Sequence, residues 1–174
     1  MKKEFVLVIF LVLMGVGGIF WFTRSQPAAP VPEKTTQALP SRAADGAGID
    51  WIDYTPGMAQ ARNQDKNVFL YFYAQWCIYC TRLSETTFVD KQVLAFLDEH
   101  FVSIAVDTDR NQSLAQSWQV KGLPTLWFLT PEGEKISSLP GYVDGPQFYQ
   151  ILRYIQTGSY HTMSFQEFLN QRPT

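Results

Sequence analysis

The sequence predicts an α/β domain, a mixed sheet of four to five strands flanked by helices, carried behind an N-terminal transmembrane helix. Three observations lead there. Runs of β-branched and aromatic residues alternate with stretches of helical period between residues 49 and 157. Two of the later runs are joined by a short turn, which makes that pair antiparallel. Residues 5–22, FVLVIFLVLMGVGGIFWF, carry no charge at all.

The apolar stretch comes first. At about 1.5 Å per residue it reaches roughly 27 Å as a helix, near the hydrocarbon thickness of a bilayer. Lys2 and Lys3 just before it favour a cytoplasmic N-terminus, and Trp21 and Phe22 would lie at the outer interface. A cleaved signal peptide competes with this reading. No good small-x-small site stands near Phe22, and the candidate PAAP puts Pro30 just after the cut. Residues 1–22 are therefore read as a single-pass anchor in the inner or cytoplasmic membrane. Either reading puts the body of the chain in the periplasm or an equivalent extracytoplasmic space.

Residues 23–48 are rich in Pro, Ala, Ser and Gly and read as a linker, with an end-to-end distance of roughly 28 Å if flexible. The folded part starts near Ile49. A first helix is expected at about 57–65. NVFLYFYA (67–74) has aromatics on both parities, as a central strand covered on both faces requires. A pair of cysteines follows at once and opens a helix. TTFVDKQVLAFLDEH resumes helical spacing, with Asp90 as N-cap. FVSIAVD (101–107) is the second strand, and a short helix runs from Ser113 to Trp118. PTLWFLT (124–130) is the third strand, and PEGE turns it into a fourth near Ile136. Asp144, before Gly145 and Pro146, opens a closing helix whose apolar stripe is Phe148, Ile151, Leu152 and Ile155. The first half is a βαβ unit with a right-handed crossover. Residues 49–157 form the domain, and 158–174 a helical extension in which Ser164 and Glu167 fit a capping box.

Composition narrows function. The chain has 174 residues, 46% of them hydrophobic, and a net charge of −2 without any run of like charges. A basic stripe for nucleic acid is missing. Only two cysteines occur, Cys77 and Cys80. A staple closing so short a loop gives only about 2 kcal/mol before strain is subtracted. A structural zinc site wants four ligands, and there is no second pair. Haem attachment needs His after the second cysteine, where Thr81 stands. Redox exchange fits better, with no cofactor beyond the disulfide itself and no metal. At a helix start the Cys77 sulfur meets unpaired N–H groups and the positive end of the dipole, which favour the nucleophilic thiolate. Cys80, one turn on and less exposed, is placed to resolve a mixed disulfide.

FYAQWCIYC, then VKGLPTLWFL, then GYVDGPQFYQIL resemble the thioredoxin family in motif and in order, over roughly residues 49–157. TTFVDKQV is most similar to its extracytoplasmic reductase branch, which includes the C-terminal domain of the transmembrane electron conductor DsbD and SoxW-type proteins. The resemblance implies a thioredoxin fold and a thiol–disulfide oxidoreductase that reduces protein disulfides. It implies a membrane electron donor of the DsbD/CcdA type to recharge the pair. Pro124 would be the family's cis-proline, leaving Leu123 to offer its backbone to an extended substrate; a trans proline opening an edge strand is the alternative. Trp76 would flank the dithiol, or be an ordinary core tryptophan. Gly141 would line the substrate groove, or simply turn the chain.

Two departures from the family stand out. Tyr71 occupies the position of the buried acid that serves proton transfer to the second cysteine, and the accompanying lysine would fall near Ala105. Proton transfer must then run through water or another group, for which Glu85 is the candidate. Ile78-Tyr79 replaces the common Gly-Pro. An oxidase or isomerase using the same chemistry is the rival enzyme reading, and a non-catalytic binding or metal-handling module the rival class.

Overall fold

The computed structural model describes residues 48–171, so the expected anchor and all of the linker up to residue 47 lie outside the described residues. Among those described, no helix is long and apolar enough to cross a membrane.

The central strand β1 (Asn67–Tyr73) pairs parallel with β2 (Phe101–Asp107) and antiparallel with β3 (Thr125–Leu129), which pairs antiparallel with β4 (Lys135–Pro140). The order β2-β1-β3-β4 makes a four-stranded mixed sheet. The fifth strand allowed by the sequence shrinks to one parallel bridge, Ile52 beside Ile104 at the outer edge of β2. Aromatic residues on both parities of β1 serve two cores. Phe69 and Tyr71 face one side with Leu126, Phe128, Phe148 and the two cysteines. Val68, Leu70 and Phe72 face the other with Met58, Ile104 and Trp118.

Helix α1 (Tyr54–Gln64) starts three residues earlier than expected. Pro56 falls in its first turn, where a missing N–H costs no hydrogen bond. Gly57 lets α1 lie close on β2, since a Cβ there would meet Ile104 at 2.6 Å. The helix that the cysteines open is interrupted. It divides into α2 (Ile78–Arg82) and a π-helical turn (Leu83–Thr87), ahead of α3 (Lys91–His100). Asp90 caps α3 as expected, accepting from the N–H groups of Gln92 and Val93. Then come α4 (Gln112–Ser117) and α5 (Gly145–Gln156), the latter capped by Asp144 accepting from the Gln147 N–H.

After a 3-10 turn (Ser159–His161), α6 (Phe165–Asn170) carries the expected capping box, with Ser164 and Glu167 bonded reciprocally. The extension packs back on α5. Tyr154 lies 5.4 Å from the rings of Phe165 and Phe168, and its hydroxyl donates to the Met163 carbonyl at 2.7 Å.

Candidate active site

The site forms where the parallel strands end. Leaving β1, the chain turns through Ala74, whose carbonyl accepts the Cys77 N–H at 3.2 Å. Cys77 is the N-cap of α2 and is joined to Cys80 by a disulfide, with Cα atoms 5.2 Å apart. The Cys80 N–H donates to the Cys77 sulfur at 3.1 Å. A helix start thus directs a donor at Cys77, which stabilises negative charge there. Both cysteines are buried, Cys77 at 5% and Cys80 at 3% exposure.

Around this pair lies an apolar rim. Trp76, Ile78 and Tyr79 are 69%, 81% and 57% exposed. Trp76 is therefore no core residue. Its indole N–H donates to the Asp109 carboxylate at 3.0 Å, which ties the rim to the loop after β2. That loop is braced in turn, because buried Asp107 accepts the Asp109 N–H at 3.0 Å and lies 3.5 Å from the Arg110 guanidinium.

Pro124 and Gly141 come together beside it. The Leu123–Pro124 peptide is cis. Thr125, next along, is paired with Phe72 near the end of β1, which brings this loop to the same end of the sheet as Cys77. Leu123 is half-buried and packs on the core that contains both cysteines. The Gly141 N–H donates to the Pro124 carbonyl at 2.8 Å. Gly141 has φ +86°, with open space where a Cβ would stand, so backbone conformation rather than crowding calls for glycine. The following residues hold the π turn. The Thr87 hydroxyl donates to the Val143 carbonyl at 2.5 Å, Thr86 bonds the Tyr142 hydroxyl at 3.1 Å, and the Arg82 guanidinium lies 4.3 Å from the Tyr142 ring centre.

Behind Cys80 is a cavity of about 340 Å³, lined among others by Tyr71, Tyr73, Ser84 and Ala105. Burial, foremost, holds the Tyr71 phenol far above its ordinary titration range. Burial also raises Tyr73, reinforced by the Asp107 carboxylate. Ser84 and Glu85 are both exposed residues of the π turn, four and five residues past Cys80. Glu85, the candidate for proton transfer, stands outside the lining of this cavity. Ser84, which the sequence did not single out, lines the cavity; only its spacing of four from Cys80 signals it. Among the described residues no group of three or more His, Cys, Asp or Glu side chains is gathered as a metal site would need.

Comparison with known proteins agrees with this geometry. Residues 55–156 match the family model described as a thioredoxin-like domain. Over 104 residues the chain is 36% identical to the thiol:disulfide interchange protein DsbD of Vibrio vulnificus, a match that takes in 56% of this chain and 17% of that protein. It is 28% identical over 134 residues to a protein disulfide-isomerase of Hordeum vulgare, covering 77% of this chain and 23% of the relative. The chain thus spans less than a quarter of the length of either relative. Among solved structures, a thioredoxin from Thermus thermophilus superposes with a TM-score of 0.59 at 27% identity, over 67% of this chain and 98% of that one.

Proposed function

Because the chain belongs to the thioredoxin-like domain family, we propose that it is an extracytoplasmic thiol–disulfide oxidoreductase that reduces disulfides of partner proteins through Cys77 and Cys80. The observation that carries this reading is the Cys77 sulfur at the start of α2, accepting the Cys80 N–H at 3.1 Å. A thiolate held there is nucleophilic at neutral pH.

In the reduced dithiol, the Cys77 thiolate attacks one sulfur of a partner disulfide. A Cys77–partner S–S bond forms, and the second partner sulfur leaves as a thiolate that takes a proton from solvent. Cys80, deprotonated, then attacks the Cys77 sulfur. The Cys77–Cys80 bond forms, the remaining partner thiolate leaves and is protonated, and two electrons have passed to the partner. The Leu123 backbone and Gly141 would border an extended partner segment, and Trp76, Ile78 and Tyr79 would cover its apolar residues. The oxidised pair is then reduced by a membrane electron donor of the DsbD/CcdA type. Support for the location is Lys2-Lys3 ahead of the uncharged stretch 5–22, an anchor facing the domain outwards.

The extent of the match to a disulfide-isomerase, 77% of this chain, favours isomerisation as the second reading. In the reduced state a Cys80→Ser variant is expected to accumulate a covalent, dithiothreitol-sensitive adduct with a disulfide-bearing probe protein, while Cys77→Ser forms none. If Cys80→Ser yields no adduct, Cys77 is not the attacking group.

A further inference from the structure

We propose that the hydroxyls of Tyr71 and Ser84 solvate the Cys80 thiolate across the cavity behind it, so that neutral donors, rather than a carboxylate, activate the resolving sulfur. This rests on the exchange chemistry above. A buried thiolate without donors is costly, and desolvation alone raises a thiol's pKa. Cys80 is 3% exposed, yet it must ionise to resolve the mixed disulfide.

The cavity holds what such a site needs. Its volume of about 340 Å³ far exceeds the ~10–15 Å³ that one water needs, so water has room beside Cys80. Tyr71 enters it from β1, opposite Ala105 of β2, so neither strand contributes a charge at that point. Trp51 at 5.5 Å and Phe88 at 5.2 Å fix the Tyr71 ring. Ser84 enters from the π turn. With the pair oxidised, its hydroxyl donates to the Cys80 carbonyl at 3.1 Å and also interacts with the Tyr71 phenol. A hydroxyl can rotate from carbonyl to sulfur once a thiolate forms.

No Asp, Glu, Lys, Arg or His lines the cavity. The other titratable group within it is Tyr73, and the charges acting on Tyr73 are Asp107, Arg110 and Asp53. Burial keeps the Tyr71 phenol protonated, and so a donor, across any working pH. The proton balance is simple. Cys80 gives its proton to cavity water and thence to bulk, Tyr71 and Ser84 keep theirs, and the thiolate they hold attacks the Cys77 sulfur.

The test uses the full chain carrying Cys77→Ser, which leaves Cys80 as its one thiol. Its thiolate is titrated by ultraviolet absorbance, alone and combined with Tyr71→Phe, Ser84→Ala, both, or Ser84→Thr. Hydrogen bonds to a charged group support an expected rise of about one pH unit in the midpoint when both hydroxyls go, roughly tenfold less thiolate at a given lower pH. Ser84→Thr is expected to keep the midpoint. In the chain with both cysteines, the loss is expected in partner release from the Cys77 adduct rather than in adduct formation. An unmoved midpoint in the folded double variant overturns the proposal, as does equal slowing of both steps. Adduct formation itself reports on the underlying exchange reading, so the two fail separately.

Discussion

Tyr71 illustrates how one side chain can be read from its position in the chain but not from its type. The sequence marks it as standing where relatives resembling this chain hold an acid; the fold then buries it beside Cys80. Its phenol is held well above the ordinary range of about 10, chiefly by burial. Above pH ~10 the unfolded chain loses this proton while the folded one keeps it, so stability falls as pH rises. The contribution is fully present below the unfolded value and lost on the way up to the folded one. Tyr71→Phe is therefore expected to flatten the alkaline decline in denaturant midpoint; a decline as steep as before would mean that Tyr71 does not cause it. Cys77 and Cys80 were legible because their chemistry depends on a spacing of three and on a preceding strand, both local. Trp76 left two readings open, and its bond to Asp109 across 33 residues decided for the exposed one. No local pattern reports a contact of that kind.

The elements divide along the same line. Caps are local, and Asp90 and Asp144 both cap the helices expected of them. Asp90 satisfies two otherwise unpaired donors of α3, so Asp90→Ala is expected to lower unfolding free energy by about 1 kcal/mol with an unchanged denaturant slope. A loss within error would mean that water replaces the cap. The π turn was not legible. Thr86 and Thr87 weaken helical propensity, but the turn is held from outside, through Val143, Tyr142 and Arg82. Those ties join the cysteine helix to the Gly141–Pro124 corner, and through it the two halves of the site. Ser84 rather than Glu85 lines the Cys80 cavity for this reason, since a residue's direction after Cys80 depends on how that turn is wound. The early start of α1 is a smaller case, in which Pro56 reads as a break but fits the first turn.

At the scale of the molecule, alternating elements and one hairpin were enough to give the mixed sheet and its helices. The order β2-β1-β3-β4 also needed pairing information, which strand composition does not carry. The two-sided burial of β1 explains why the cysteines emerge at one rigid end, with Leu123–Pro124 beside them. An extracytoplasmic reductant needs electrons brought across the membrane, and the proposed anchor would keep this site close to their source. The proposed function requires that Cys77 and Cys80 form a working two-electron couple that gives electrons to partners. It is tested most directly by equilibrating the full chain in graded thiol–disulfide buffers and following the pair by thiol alkylation. A two-electron transition at about −270 mV, where thioredoxin lies, is expected. A transition near about −120 mV, typical of a strong disulfide donor, contradicts the direction of transfer, and no transition at all contradicts the exchange chemistry itself.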